Sequence, residues 1–541
     1  MIVMNYRRTR FKDENQALFW LSMIFFSLVW IFALFKTQTI YGNEDFPHTL
    51  LAGKDIVTAG GFPMYNEHSI IDGMKIIYQQ WLYSVVLYKI YAYGGWLGLY
   101  VFFFVELVLV NIAVISLCRV RGLSMSVSLL VTSLFMIMIG LAPSLYSLRP
   151  WFVTVFLVLM ELVCVEHFLR TNRWYWLVGI VLTFVIETNV RMALWVGHLV
   201  MLLPYIVPLP SKVSKFLKCD DVSRWITKKQ RVVLGITALA GVVSTLLKPY
   251  GLNGSLFLIK ASGALSVFNV NELNGLASEA FVYKVMVVSL ASVWVLLITK
   301  RRFDAVTLFM LVGTTIMALN ASRNVLFLDI GLLYFMITCL ADQRNGHLFK
   351  RAELHTENVP MKLINTTVAF CVMSFIVFGV WFGSSSPSTP DMVNLYGNLP
   401  DSILQQQSNV IKENMLMADQ IDIMLEECED APRVFSLNFS AYLEWKGCKV
   451  AADNRWELWS EKLNEKEDLL NSMHDVWASD ALDTTWEKLD EQVSSGQFDY
   501  AVADNAFLWA YFEHSPDWEV MYKDKYIYIV RYIGEGGIQN G

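Results

Sequence analysis

Long apolar segments recur through the first 382 residues and constrain the fold more than any other feature of the chain. About eleven of them approach the 17–25 residues that a helix needs to cross a bilayer. They cover residues 16–36, 96–118, 123–142, 151–169, 174–187, 192–209, 231–247, 281–299, 303–320, 323–340 and 363–382. Hydrophobic residues make up 55% of the 541-residue chain and charged residues only 17%. This composition predicts a polytopic α-helical membrane protein, because soluble domains carry about 25% charged residues.

Basic residues alternate between the loops that join these spans. They cluster at 7–12, 119–121, 170–173, 212–231, 300–302 and 344–362, and the loops between these clusters hold few. Because basic loops stay in the cytoplasm, the alternation predicts a cytoplasmic N-terminus and a C-terminal part outside the cell. The first apolar segment lacks a small-residue cleavage site, so we expect it to remain as a signal anchor.

The C-terminal part differs in charge from the spans. Residues 384–541 hold 11 basic and 29 acidic residues, a net charge of −18, which leaves +12 on residues 1–383 out of the chain's −6. An acidic part of this kind does not favour nucleic acid or an anionic lipid surface. We predict a transmembrane domain at 1–383 with a first outer loop at 37–95, a linker at 384–400, and an extracytoplasmic α/β domain at 401–541.

The pattern of the C-terminal domain predicts several elements. Residues 434–450 form a strand–helix–strand pattern, 498–503 and 526–530 are further strands, a helix lies around 506–512, and 455–495 is rich in helix. Asp453 and Arg455 follow a strand and either form a ligand site or hold a turn. The chain's seven cysteines show no metal-ligand spacing. Parallel strands would bring Cys428 and Cys448 close, where they either form a disulfide or stay as free thiols.

Unusual polar residues gather at the predicted outer ends of the spans. Glu44 and Asp45 directly follow the first span, where ionisable groups are costly unless they have a function. His48 lies one helical turn after Asp45. The same first outer loop contributes Gln80, and the later outer loops contribute Arg149, Asn189, Arg191, Lys248, Glu272 and Arg323.

Each of these residues also has a structural interpretation. Arg149 and Lys248 are either interfacial anchors or ligands of an anion. Glu272 either caps a helix or contributes to a site. Arg323 begins a span, where the helix dipole disfavours a cation, so a functional role is favoured there. As a set, the cations suit a phosphate and the acids suit deprotonation of a hydroxyl group. The combination indicates transfer of a group from a lipid phosphate to an acceptor.

The order of several short motifs adds a family resemblance. Asp45-x-x-His48-x-x-x-x-Gly53, Gly61-x-Pro63, Ser69 and Gln80-Trp81-Leu82 resemble the first outer loop of a bacterial group often assigned to the GT-C glycosyltransferase superfamily. The similarity continues through Arg149-Pro150, residues 189–191, Lys248-Pro249-Tyr250-Gly251, Glu272 and Arg323. In the C-terminal part it includes Val434-Phe435, Tyr442-Leu443, Asp453-x-Arg455 and Trp518.

This resemblance implies a GT-C-like fold and an inverting transfer on the outer face of the bacterial cytoplasmic membrane. The donor would be a polyprenyl-phosphate sugar, and the acceptor an envelope glycan, lipid or protein. Asp45 would be the catalytic base with Glu44 beside it. The donor phosphate would be held by Arg149, Arg191, Lys248 and Arg323, with support from His48, Gln80, Asn189 and Glu272. Some GT-C members bind a divalent metal ion and others do not, so the resemblance leaves a metal cofactor open. Too few acidic residues cluster in the sequence to assign the ligands of such an ion.

The chain departs from the group's pattern at two positions. Arg191 stands where a histidine is expected, and Lys248 where an asparagine is expected. Each departure adds a positive charge. The two together indicate either a more anionic donor or a lost activity that packing compensates.

Two other functions fit the same sequence. One is a transporter or flippase for a lipid-linked saccharide, although no internal repeat is evident and the polar residues gather at one face. The other is a non-catalytic scaffold of envelope polysaccharide synthesis, whose C-terminal domain binds partner proteins of that synthesis.

Overall fold

The computed structural model describes most of the helical part of the chain and the core of the C-terminal domain. The described residues are 16–36, 45–140, 148–208, 219–220, 226–265, 303–321, 324–345, 423–428, 430–436, 440–451, 455, 458, 460–466, 493, 498–503, 506–523 and 528–534. Several predictions lie outside the described residues: the spans 281–299 and 363–382, the linker 384–400, most of 455–495, and Glu44, Glu272 and Arg323.

Every predicted span within the described residues corresponds to a helix. The helices are α1 (Gln16–Lys36), α2 (Asp45–Thr58), α3 (Trp81–Val120), α4 (Met125–Gly140), α5 (Trp151–Thr171), α6 (Tyr175–Val190), α7 (Trp195–Ile206), α8 (Lys228–Ser244), α9 (Gly251–Leu265), α10 (Ala305–Asn320) and α11 (Val325–Asn345). By length and composition, Leu97–Val120 in α3 and Trp151–Thr171 in α5 are able to cross a membrane, and six further apolar helical stretches are shorter.

Helix α3 starts earlier than its predicted span. It runs for 40 residues and contains a break at Gly95, whose φ of 56° lies in the region that favours glycine. The first half, up to this break, belongs to the predicted outer loop 37–95. The outer loop therefore contains two helical pieces, α2 and the start of α3, which pack against each other.

The bundle has two chemically different ends, marked by the two ends of α5. At the end that carries Glu166, this carboxylate lies 3.2 Å from Arg121 Nε and 3.7 Å from Arg170. It also accepts hydrogen bonds from Tyr334 (2.8 Å) and Tyr205 (3.2 Å). We call this the Glu166 end, and the opposite end, where α5 begins, the Trp151 end. The Glu166 end joins loops that the charge pattern predicts to be cytoplasmic.

A five-stranded sheet forms the core of the C-terminal domain. Its strands are β3 (Arg433–Ser436), β4 (Lys449–Val450), β5 (Tyr500–Ala503), β6 (Trp518–Lys523) and β7 (Tyr528–Tyr532), in the order β4-β3-β5-β7-β6. The helices are α12 (Ser440–Lys446), α13 (Glu461–Asn464) and α14 (Ala506–His514). A separate parallel pair joins β1 (Cys219–Asp220) to β2 (Phe303–Asp304).

The predicted strand–helix–strand unit is confirmed. Strands β3 and β4 are parallel, pair Arg433 with Lys449, and are joined by α12. Strand β6 was not predicted. It forms one edge of the sheet, and of its six residues only Trp518 is buried. A strand with so little buried surface lacks the alternation of apolar and polar residues that sequence analysis detects.

The outer loop is joined to this sheet by backbone hydrogen bonds. Val450 N donates to His68 O at 3.0 Å, and Ile70 N donates to Val450 O at 2.9 Å. Residues 68–70 thus continue the sheet beyond β4. Side chains of the loop, including Met74 and Ile76, share a hydrophobic cluster with Phe435 and other residues of the domain. The loop therefore packs on the C-terminal domain on one side and, through α2 and α3, on the bundle on the other.

The close approach of α2 to α3 depends on Gly53. A Cβ atom at this position would lie 2.0 Å from Ser84 O and 2.8 Å from Tyr88 Cβ. We expect Gly53→Ala to push the helices apart and to destabilise the protein by about 1–3 kcal/mol, as overpacking does. Thermal unfolding of the detergent-solubilised protein measures this as a lower unfolding temperature. Gly61→Ala is the control, because nothing lies within 4 Å of its added Cβ. Equal unfolding temperatures for the two variants would contradict the close approach.

Candidate functional site

Helix α2 begins at Asp45, the residue predicted to act as the base. Its next residue, Phe46, is buried in the bundle core together with Leu50. The structure therefore places the backbone of Asp45 where the outer loop meets the bundle. A carboxylate in the first turn of a helix is favoured in its charged form by the helix dipole. The side chain of Asp45 and all of Glu44 lie outside the description.

Two of the predicted phosphate ligands adjoin Trp151. The guanidinium carbon of Arg191 lies 3.5 Å from the centre of the Trp151 ring, which is a close cation–π contact. Arg149 comes two residues before Trp151, and its carbonyl oxygen accepts a hydrogen bond of 2.7 Å from Trp151 N. Both arginines are partly buried. The second and third outer loops therefore meet at one aromatic ring.

Arg191 is held at this place by the end of α6. It is the C-cap of that helix, has an extended backbone, and donates its N–H to Glu187 O at 2.6 Å. The next residue, Met192, donates its N–H to Gln79 O at 3.1 Å. The third outer loop is thus bonded to the end of the first outer loop. This hydrogen bond joins two segments that are more than a hundred residues apart in the sequence.

Asn189 joins three segments of the chain through its side-chain amide. Its Oδ1 accepts a hydrogen bond from Trp81 Nε1 at 2.9 Å, and its Nδ2 donates to Leu247 O at 2.9 Å and to Val185 O at 2.8 Å. The segment before Lys248 is thereby tied to α6 and to the start of α3. These contacts give Asn189 a supporting role in the packing around the arginines.

Gln80 precedes α3 as its N-cap residue. Its carbonyl oxygen accepts a hydrogen bond of 3.0 Å from Ser84 N, and its side chain makes no capping hydrogen bond. Its Oε1 is buried and makes no hydrogen bond within the described part of the chain. This acceptor directly follows Gln79, whose carbonyl oxygen accepts the hydrogen bond from Met192 N.

Lys248 is buried in the turn between α8 and α9. Its Nζ donates to Ser255 Oγ at 2.9 Å. Burial lowers the pKa of Lys248, because an apolar environment disfavours the ammonium form. Two residues later, Tyr250 accepts a hydrogen bond of 3.3 Å from Tyr78 N and packs on Phe62. The fourth outer segment therefore also contacts the first outer loop.

His48 faces the C-terminal domain. Its Nδ1 lies 4.0 Å from Glu444 Oε2, a carboxylate on α12, and the same oxygen lies 3.7 Å from Arg455. Arg455 is the residue that was predicted either to form a ligand site with Asp453 or to hold a turn. The structure pairs it with Glu444, and Asp453 lies outside the described residues.

A buried group of four polar side chains inside the bundle was not predicted as a unit. His198 Nδ1 lies 2.7 Å from Glu161 Oε2, and its Nε2 lies 3.6 Å from Glu187 Oε2. Thr154 donates to the other oxygen of Glu187 at 2.8 Å. All four residues are 0% exposed. The ionisable residues Glu161 and His198 within apolar spans were the signal in the sequence that could have indicated this group.

Other site predictions concern metal ions and cysteines. Within the described residues, no group of three or more His, Cys, Asp or Glu side chains is arranged to hold a metal ion. Cys428 and Cys448 are free thiols that pack in the same hydrophobic cluster, so the disulfide that the sequence left open is not formed in this structure. Burial raises the pKa of the Cys448 thiol to about 12.

The contacts of Asn189 predict the effect of removing its amide. Asn189→Leu leaves Trp81 Nε1 and Leu247 O, whose hydrogen bonds are partly buried, without their partner. An unsatisfied group costs about 1–3 kcal/mol when it is fully buried, so the loss here has this as its upper bound. We expect a clearly lower unfolding temperature of the solubilised protein. Asn253→Leu, an exposed position on α9, is the control. Unfolding of Asn189→Leu at the parent's temperature would show that these bonds do not stabilise the fold.

Comparison with known proteins shows a structural similarity. No protein-family model matches the chain, and no curated protein matches it. Among solved structures, the chain is similar to the oligosaccharyltransferase of Archaeoglobus fulgidus, in a crystal structure with an acceptor peptide containing the NVT sequon tethered by a disulfide bond. The TM-score is 0.49 and the sequence identity 9%, over 90% of this chain and 70% of that one.

Proposed function

We propose that the protein is a membrane glycosyltransferase of the GT-C kind. It would move a sugar from a polyprenyl-phosphate donor to an envelope glycan, lipid or protein acceptor on the outer face of the bacterial cytoplasmic membrane. The observation that carries the proposal is the contact of Arg191 with the ring of Trp151, two residues after Arg149 in the chain and next to the end of the first outer loop. That loop begins its first helix with Asp45.

Exposed apolar side chains support a position in the membrane. Trp20, Leu21 and Leu28 on α1 are 58–64% exposed, and Ile236 and Leu239 on α8 are 63–64% exposed. Soluble proteins rarely expose contiguous apolar surface of this kind, whereas lipid tails cover it without cost. With the polar groups at the ends of α5 and these apolar faces between them, the bundle suits a bilayer.

The stacked arginine suits a phosphate group of the donor. A guanidinium over an indole ring has its plane fixed, and its N–H groups point outward within that plane. Such a fork donates two parallel hydrogen bonds to a phosphate. Arg149, two residues before Trp151 in the chain, would add a second cation. Lys248 would add a third, because a bound phosphate favours the ammonium form that burial disfavours.

Asp45 would act as the general base in an inverting transfer. Its carboxylate takes the proton of the acceptor hydroxyl group as that oxygen attacks the anomeric carbon of the sugar. The new glycosidic bond forms on the face opposite the donor phosphate. The bond from the anomeric carbon to the phosphate oxygen breaks, and its electrons leave with the lipid phosphate, where the arginines stabilise the added charge. In this mechanism Glu44 lies beside the base, Arg323 helps to hold the phosphate, and Glu272 has a supporting role.

One observation favours a second candidate function. The buried group of Glu161, Glu187 and His198 lies inside the bundle, and ionisable groups in that position often mark the path of a proton or substrate. A transporter or flippase of a lipid-linked saccharide would use such a group, and it would not need a base at the start of α2. The test below therefore separates the two functions, and it also separates an enzyme from a scaffold.

Replacing Asp45 tests the proposed base. Asp45→Asn keeps the size of the side chain and removes its basicity, so we expect transfer to fall by about 10²–10⁴-fold. The measurement is mass spectrometry of envelope glycans from cells that carry the variant in place of the parent gene. Asp72→Asn, an exposed acid in the same loop, is the control and should leave the glycans unchanged. Unchanged glycans with Asp45→Asn would exclude the mechanism and leave the transporter and the scaffold.

Replacing Arg191 tests the proposed phosphate ligand. Arg191→Gln removes hydrogen bonds to a charged group that contribute about 1.5–3 kcal/mol, so transfer should fall by roughly tenfold or more. Arg173→Gln is a matched control, because Arg173 also lies over an aromatic ring, that of Tyr175, but at the Glu166 end. The same glycan measurement applies. An equal loss in both variants would show that the arginine–aromatic pair matters only for packing.

A further inference from the structure

The C-terminal domain packs directly on the helix that begins with Asp45. Helix α12 lies against α2. Lys54 Nζ of α2 lies 5.3 Å from the ring centre of Trp445 on α12, and Tyr91 of α3 meets the same ring at 5.6 Å. Trp445 is therefore placed between the two helices of the outer loop. The domain contacts the proposed catalytic helix through a defined surface.

A buried carboxylate lies at the centre of this contact. Glu444 is 1% exposed, and its Oε2 lies 4.0 Å from His48 Nδ1 and 3.7 Å from Arg455. A charged carboxylate is buried at low cost only where hydrogen-bond donors or cations lie beside it. Arg455 belongs to the domain, and His48, which is a cation only when protonated, belongs to α2. The electrostatic contact thus crosses from one part of the chain to the other.

Further contacts keep the outer loop from shifting along the domain. Ser69 Oγ donates to Ala451 O at 3.2 Å, and Lys75 N donates to Asn464 O at 3.0 Å. Within the loop, His68 Nε2 lies 3.1 Å from both carboxylate oxygens of Asp55 on α2. The far end of α2 is therefore tied to the loop and, through it, to the sheet. Glu444 acts at the near end, one turn from Asp45.

We infer that Glu444 is a positioning residue that acts through His48 to hold the first turn of α2, and with it Asp45, in the place that transfer requires. The inference rests on the proposed function. His48 and Asp45 are separated by three residues and lie on neighbouring positions of the helix surface. A misplacement of a reacting group by about 1 Å costs up to roughly hundredfold in rate. The C-terminal domain thereby helps to complete the site.

A double-mutant cycle tests this route. Membranes from cells that lack the gene, which contain the cell's own lipid-linked donors, receive the purified protein, and mass spectrometry measures the glycan that the parent protein restores. We expect Glu444→Gln and His48→Gln each to lower the initial rate by about tenfold to hundredfold. The double variant should lose no more than the larger single loss, because both changes break one contact. Glu519→Gln, on the exposed edge strand β6, is the control and should match the parent.

Two further variants separate positioning from stability. Glu444→Asp keeps the charge and should restore most of the rate that Glu444→Gln loses. Trp445→Leu removes the ring between α2 and α3 but keeps the carboxylate. Compared with Glu444→Gln, it should lower the unfolding temperature more and the initial rate less. A Glu444→Asp variant as slow as Glu444→Gln would overturn the inference. The inference would also be overturned if Glu444→Gln and Trp445→Leu showed the same ratio of rate loss to loss of unfolding temperature.

The outcomes for the inference and for the proposed function differ. An active parent with an equally active Glu444→Gln variant overturns the inference alone. Losses that add in the double variant overturn the route through His48. A parent protein that restores no glycan overturns the proposed function and the inference together.

Discussion

The arrangement of this protein depends on the outer loop being held from two sides. On one side α2 touches the start of α3 so closely that a Cβ atom at Gly53 would lie 2.0 Å from Ser84 O. On the other side residues 68–70 continue the sheet of the C-terminal domain through hydrogen bonds to Val450. A segment without either contact would not keep Asp45 in place. The two contacts make the loop a rigid element to which the proposed site is attached.

The arginine side chains at the two ends of the bundle have different partners. At the Glu166 end, Arg121 and Arg170 meet a carboxylate that also accepts hydrogen bonds from two tyrosines. At the Trp151 end, Arg191 lies on an aromatic ring. A carboxylate accepts hydrogen bonds from the N–H groups of a guanidinium, whereas a ring contacts its face. Arginines also lie over rings at the Glu166 end, where Arg121 contacts Tyr334 and Arg173 contacts Tyr175, so Glu166, which pairs with Arg121 and Arg170, is the structural anchor of that end.

Much of the fold could be predicted from local patterns, and the contacts between elements could not. Hydrophobic runs indicated the helices of the described part except α2 and α9, which lie outside the predicted spans. The strand–helix–strand pattern around α12 indicated parallel pairing. Strand β6 was missed because it is an edge strand with one buried residue. The group of Glu161, Glu187, His198 and Thr154 was missed because its members come from three helices and look like isolated polar residues in apolar sequence. The docking of the outer loop on the C-terminal domain left no periodic signal at all.

The sequence by itself determined that the chain is mostly helical and apolar, with an acidic α/β domain after it, and that unusual acids and cations follow the ends of particular spans. These properties depend on residues that are close in the sequence, since helices form from local hydrogen bonds. The net charge of a segment follows from its composition alone. Only the tertiary structure decided that Arg191 lies on the ring of Trp151, that Asn189 joins three segments, and that Glu444 faces His48. Such contacts join residues that are far apart in the sequence. Many ways of pairing the helices and the sheet are compatible with the same sequence pattern, and close packing selects one of them.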